Sequence, residues 1–239
     1  MEKISFITFV YGADRLKNLE LTMFAATTNA PANTEFILYE QHGQHAKSLA
    51  QKYNFKYYCQ LEDIQSPAYW RNRAIEKATN ELVVINDSDI IPYPGFFKQI
   101  QLTSKRYRYF GNYTNVINLN EELTNQILQD PIETNFGYNI TADELKELKH
   151  RHYINTGSNG GSNTIRRSDF DAIGGYDESY IGMGKEDNDF IIRLTRYIIK
   201  IYGRNSISLL TNTILHSNHD RKIQINKDND IKYMNLLRS

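Results

Sequence analysis

Apolar residues along this chain alternate between two spacings, one that suits strands and one that suits helices. Ile4–Val10 is a short, partly β-branched run ended by Tyr11-Gly12, which predicts a strand and the turn after it. From Asp14 the apolar positions Leu16, Leu19, Met23 and Phe24 fall at helical spacing, with Asp14 as the expected cap and Pro31 beyond the end. Strand-like runs follow at Glu35–Tyr39 and Phe55–Gln60, then a helix over Tyr69–Ala78 preceded by Pro67, then a strand from Val83. Strands alternating with helices predict an α/β domain with a mostly parallel sheet flanked by helices on both faces.

The pattern changes past residue 110. Between Asn112 and Arg151 the chain turns polar and Asn-rich, with helices expected at Glu121–Leu128 and at Thr141–His150, the second opened by a Thr141/Glu144 capping box. Further on, Phe190, Leu194, Tyr197, Ile198 and Ile201 keep a helical stripe that places Glu186–Asp189 in a first turn. No repeat, low-complexity tract or Pro/Gly-rich linker divides the chain. One domain is expected, with a first half over 1–110, a variable helical insertion over 111–152 and a second half over 153–239.

Composition narrows the classes. Among 239 residues, Lys plus Arg and Asp plus Glu each number 28, so no basic excess points to nucleic acid. Cys59 is the single cysteine and cannot form an intramolecular disulfide, which fits a reducing compartment. No run approaches the roughly 18 apolar residues of a membrane span. Met1-Glu-Lys leads into a strand instead of a signal-peptide core, so a cytoplasmic protein is expected. The Asn-X-Ser/Thr matches at Asn112 and Asn139 then carry no meaning.

The strongest chemical signal is Val83-Val-Ile-Asn-Asp-Ser-Asp89, an apolar run that stops at two carboxylates one residue apart. Ligands of open α/β sheets bind beyond the carboxyl ends of strands, so Asp87 and Asp89 are predicted at the mouth of a site. Paired oxygen donors there suit Mg²⁺ or Mn²⁺ bridging a diphosphate. A solvated Asp-Ser-Asp turn is the competing explanation. Gly160-Gly161 would let backbone approach a sugar or diphosphate, or simply make a turn. Gly174-Gly175 is expected to shape the chain before Tyr176, and Arg166 and Arg167 to pair with Asp177 and Glu178. His216 and His219 follow an apolar strand-like run, where a neutral imidazole could complete a carboxylate site, and His216 is favoured.

Four blocks in this order carry a resemblance: Tyr69-Trp-Arg-Asn-Arg73, Asp87-Ser88-Asp89, Gly174-Gly-Tyr-Asp-Glu178 and Gly184-Lys-Glu-Asp187. Together they resemble the GT-A glycosyltransferases, in particular family 2 and the galactosyltransferase-type C-terminal module of β-1,4-galactosyltransferases and chondroitin polymerases. The resemblance spans roughly residues 3–110 and 155–220 and implies a GT-A, Rossmann-like fold. It implies Asp89 as the metal ligand of a D-X-D motif, with Asp87 nearer the ribose and metal-bound water. By the same resemblance, Tyr11, Arg15, Glu40 and Arg71 contact the donor nucleotide, and His216 or His219 is a third metal ligand.

Asp187 corresponds to the catalytic base and Glu186 to its neighbour that holds sugar hydroxyls; helix-dipole complementarity alone would also explain acids there. Retaining members of the fold usually lack an aspartate at this position, so inversion is implied. Met183 stands where the galactosyltransferases carry a tryptophan platform, so acceptor identity does not transfer; Tyr153, Tyr176 and Tyr180 are the aromatic candidates to replace it. The expected function is metal-dependent, inverting transfer of a sugar from a nucleotide diphosphate, UDP in the first instance, to a glycan acceptor during surface polysaccharide or glycan assembly. Peripheral association with glycan-assembly enzymes at the inner face of a membrane would fit that setting. The alternatives are a catalytically silent binder of glycan or nucleotide sugar on the same fold, and a sugar nucleotidyltransferase, whose Gly/Arg-rich first loop Val10–Arg15 matches poorly.

Overall fold

The computed structural model describes residues 2–129, 154–156, 160–217 and 226–238. Its first half runs β1 (Ile4–Tyr11), α1 (Leu16–Asn29), β2 (Glu35–Gln41), α2 (Lys47–Lys52), β3 (Lys56–Gln60), α3 (Pro67–Glu76), β4 (Leu82–Asp87), β5 (Ile90–Ile91) and α4 (Phe96–Thr103). The second half adds β6 (Tyr109–Gly111), β7 (Asn115–Asn118), α5 (Glu121–Gln129), β8 (Ile154–Thr156), β9 (Ser162–Arg166), α6 (Arg167–Ala172), α7 (Glu186–Tyr202), β10 (Ile207–Leu209), β11 (Thr213–His216) and α8 (Asp228–Arg238).

Seven strands form the main sheet in the order β10-β6-β9-β4-β1-β2-β3. Pairing is parallel except at β9, which lies antiparallel between β4 and β6. β1 and β4 are buried on both faces, which is why both read as near-continuous apolar runs. Period-two alternation then sorts their side chains between two cores. Ile7, Phe9, Val83 and Ile85 pack with Trp70 and Ile75 of α3 and Phe190, Leu194 and Ile198 of α7. Phe6, Val10, Leu82 and Val84 pack on the opposite face with Leu19 and Met23 of α1 and Phe96, Phe97 and Ile100 of α4.

A second sheet, β5-β11-β7-β8, sits beside the end of β4. Its β7 begins within the stretch expected to be a helical insertion; Val116 and Ile117 pair with Ile214 and Leu215 of β11. Partner strands, not local spacing, make this segment extended. The expected helix at Glu121–Leu128 is α5, whereas the Thr141–His150 helix and Tyr153 lie outside the described residues. Three further expectations are corrected. α1 starts at Leu16 with Arg15, not Asp14, at the cap position, and Ile201 of the α7 stripe is 53% exposed. α3 begins two residues before Tyr69, because Pro67 suits a first helical position and the Ser66 hydroxyl accepts from the Tyr69 amide.

Candidate active site

β1 and β4 end side by side, and a cleft of about 720 Å³ opens beyond them. It is lined by Phe9, Val10, Tyr11, Asp14, Arg15, Pro67, Trp70, Arg71, Asp87, Ser88, Met183 and Glu186. The Asp-Ser-Asp turn after β4 is fixed from behind. Buried Asn86 donates to the Asp87 carbonyl at 2.9 Å and the Ile90 carbonyl at 2.8 Å, and Thr22 of α1 donates to the Ser88 carbonyl at 2.9 Å. Neither residue was among the candidates, although Asn86 sits inside the motif itself.

Arg71 is the hub. Only 5% exposed, its guanidinium reaches Asp87 at 3.2 Å, Asp187 at 3.3 Å and Glu186 at 3.4 Å. It lies over the Phe9 ring at 4.8 Å and the Tyr176 ring at 5.6 Å, so apolar faces desolvate the charge that the carboxylates satisfy. Burial alone would lower its pKa, but Asp187 and Asp87 outweigh burial and hold Arg71 charged. Burial pushes the Asp187 carboxyl well above the usual carboxylate range; Arg71 opposes this and Glu186 adds to it. Asp87 is shifted upward for the same first reason, again against Arg71.

Glu186 and Asp187 start α7, where acidic side chains complement the positive end of the helix dipole. Glu186 also accepts from the Gly184 amide at 2.8 Å. The next acid, Asp189, is engaged elsewhere by Arg193 at 2.6 Å. Gly160 and Gly161 are brought to this cluster by β9. A Cβ on Gly160 would lie 2.7 Å from Asp187 Oδ2, and the Gly161 carbonyl accepts from the Asp87 amide at 2.8 Å. Their observed task is to make room for Asp187 and hold the end of β4.

Asp89 is 3% exposed and pairs with Arg15 Nη1 at 2.9 Å. Its other oxygen stands 3.6 Å from His216 Nε2, because β11 pairs antiparallel with β5 and sets His216 opposite Ile90. His219 lies outside the described residues. Among the described residues no three His, Cys, Asp or Glu side chains converge as a self-sufficient metal cluster. The Asp89–His216 pair, next to the cleft-lining Arg15, brings one carboxylate and one imidazole together. By its chemistry that donor pair would suit a Mn²⁺ or Mg²⁺ ion.

Tyr11 forms the opposite wall, stacked between Trp70 at 5.1 Å and His42 at 5.7 Å, with its hydroxyl on Asp63 at 2.8 Å. Trp70, the single tryptophan, was quoted only as part of a motif; its uniqueness and its place beside Arg71 were the available signal. Glu40 does not face the cleft. Fully buried, it accepts from the His45 and Ala46 amides at 2.7 and 2.9 Å and from the Tyr57 hydroxyl at 2.6 Å, so it caps α2 instead of contacting a nucleotide. Tyr176 and Tyr180 are likewise buried and offer no open face to a sugar; Tyr176 stacks on Phe190 at 3.9 Å. Arg166 pairs with Glu2 and Arg167 with Asp171, whereas Asp177 is held by Lys232 and Glu178 by Arg73.

A mixed α/β sheet flanked by helices, with an acidic cleft at the carboxyl ends of its central strands, defines a GT-A-type glycosyltransferase fold. Residues 20–217 match the family model described as Glycosyltransferase like family 2, and the chain belongs to that family. No curated protein sequence matches it. Among solved structures it is similar to Staphylococcus aureus TarS residues 1–349, with TM-score 0.62 and 16% identity over 90% of this chain and 60% of that one. The same TarS segment in complex with UDP gives TM-score 0.65 and 16% identity over 98% and 64%. A further TarS structure gives 0.63 and 15% over 98% and 39%. At these identities the likeness establishes the fold, and this chain spans less than two thirds of each TarS chain.

Proposed function

We propose that the protein transfers a sugar from a nucleotide diphosphate, UDP in the first instance, to a glycan acceptor with inversion, using Mn²⁺ or Mg²⁺. The observation that carries this reading is the meeting of Asp87, Glu186 and Asp187 on Arg71, one turn away from the Asp89–His216 pair. Four carboxylates against two guanidiniums leave a negative excess that a divalent cation offsets. Family membership supports glycosyl transfer, and the UDP held by one matched TarS structure supports a uridine donor.

In the reaction, the acceptor hydroxyl attacks the anomeric carbon from the face opposite the diphosphate, forming one C–O bond as the other breaks. Asp187 takes the hydroxyl proton, and the nucleoside diphosphate departs. Its raised pKa strengthens it as a base, while Arg71 and the helix terminus keep enough of it ionised to act. Arg15 is placed to move from Asp89 to the diphosphate. Tyr11, backed by the stacked Trp70 ring, lines the side of the cleft that would receive the nucleoside. A bound divalent cation supplies positive charge to the leaving group. The acceptor setting, surface polysaccharide or glycan assembly, and a cytoplasmic location belong to the same proposal; no helix among the described residues is long and apolar enough to cross a membrane.

The test is a panel of nucleotide sugars with Mn²⁺, with nucleoside diphosphate release followed with and without EDTA and product anomers assigned by NMR. Chelator-sensitive release from one donor, with inverted product, is expected. Release that EDTA leaves untouched removes the cation, a retained anomer removes inversion, and no turnover of any donor removes the enzyme.

A further inference from the structure

We infer that the C-terminal helix α8, with Asn226 before it, is a clamp that sets the loop 180–185, whose Met183 lines the cleft, and thereby aims Glu186 and Asp187, Asn229 and Lys232 being positioning residues. The inference rests on the transferase reading of the cleft but concerns residues to which that reading gives no part.

The loop has reason to need a clamp. Gly182, Gly184 and Lys185 all have positive φ, at 71°, 117° and 71°, and Lys185 bears a side chain in a region that L-residues avoid. Such a conformation persists where surrounding contacts over-determine it. Those contacts come from residues about 45 positions further along the chain. The Asn226 amide donates to the Met183 carbonyl at 3.0 Å, and the side-chain amides of Asn226 and Asn229 donate to the Ile181 carbonyl at 3.0 and 3.2 Å.

Ion pairs hold both flanks. Lys232 reaches Asp177 at 2.6 Å, also bonds Ser179, and covers the Tyr180 ring at 4.2 Å; Lys185 meets Asp230 at 3.6 Å and the Tyr233 ring at 5.5 Å. The clamped loop has three consequences in the cleft: Met183 lines it, the Gly184 amide holds Glu186, and Glu186 meets Arg71. On its other side the Gly182 amide donates to the Gln65 carbonyl at 2.6 Å, so the loop is gripped between α8 and the approach to α3.

The experiment uses the full chain with Lys232→Asp, Asp177→Lys, the double exchange, Lys232→Arg and Asn229→Ala. Hydrogen exchange is read on peptides covering 178–188 and, as reference, on β1 and β4; UDP with Mn²⁺ is titrated by calorimetry; kcat and donor KM are measured with the donor that turns over in the panel. We expect the single charge changes and Asn229→Ala to speed exchange in 178–188 by about tenfold with β1 and β4 unchanged. UDP affinity and donor KM should hold within about twofold while kcat falls about tenfold, and Lys232→Arg and the double exchange should restore it. Unchanged exchange in 178–188, equal loosening of β1 and β4, or unaltered kcat overturns the clamp. Because exchange is read without turnover, absence of any active donor counts against the transferase reading and leaves the exchange result to decide the clamp.

Discussion

Arg71 decides how three acids can coexist at the edge of one sheet. A guanidinium of this burial, facing three carboxylates, removes their mutual repulsion and fixes where each points. Arg71→Ala would leave those carboxylates without a counter-charge in a partly desolvated site, and should destabilise the fold by about 3–5 kcal/mol, read from urea unfolding. A loss within experimental error would reduce Arg71 to a surface-like pair. Asp187→Asn should retain UDP binding and lower turnover by at least about a hundredfold, as removal of a general base does. In the wild type, turnover should fall as pH drops through the Asp187 pKa, which burial raises above the ordinary carboxylate range. The same shift has the opposite sign for stability: its contribution is complete below the unfolded carboxylate pKa and is lost as pH rises through the folded value. Equal turnover of Asp187→Asn and wild type would exclude the base assignment. At Asp89, Arg15 occupies the charge position that a cation would take. Arg15→Gln should tighten nucleotide-free Mn²⁺ binding by about tenfold or more, measured by titration, because a charge-assisted bond no longer competes. Weaker Mn²⁺ binding in that variant would refute the exchange.

Elements place these groups within reach of one another. β9 enters the sheet antiparallel and delivers Gly160 against Asp187 at the start of α7 and Gly161 against Tyr113 and Ile90, where the packing leaves no space for a side chain. Gly160→Ala should therefore push Asp187 out of line and lower kcat with little effect on UDP affinity; wild-type kcat in this variant would show that the helix start yields freely. Elements also account for which parts of the fold could be read in advance. β1, β2, β4, α1, α3 and α7 each bury enough periodic apolar side chains to declare themselves. β5, β7, β8 and β10 span two to four residues each and are extended because a partner strand pairs with them. Glu40 shows the same limit at a site: a strand-end acid reads alike in sequence whether it meets a ligand or caps the following helix.

Across the whole molecule, the cleft lies beyond the ends of parallel β1 and β4, walled by Pro67, Trp70 and Arg71 of α3 and by Met183 and Glu186 of the second half. A ligand bound there bridges both halves of the chain, so occupancy should stabilise all of it. With Mn²⁺ present and UDP at about 100 times its Kd, the gain should be about 2.7 kcal/mol, visible as a raised Tm that EDTA abolishes. A Tm indifferent to UDP would count against a nucleotide site in this cleft.

What the sequence determined by itself was the α/β alternation, the acids at the end of β4 and at the start of α7, and the arginine that precedes both in chain order. Apolar periodicity and short motifs are local properties, and local properties survive in one dimension. What only the tertiary structure decided was the company these residues keep. It put Arg71 at the centre of three acids, Arg15 on Asp89 and α8 across the Met183 loop. Those are contacts between segments tens of residues apart, fixed by strand order and packing direction, and no spacing along the chain encodes them.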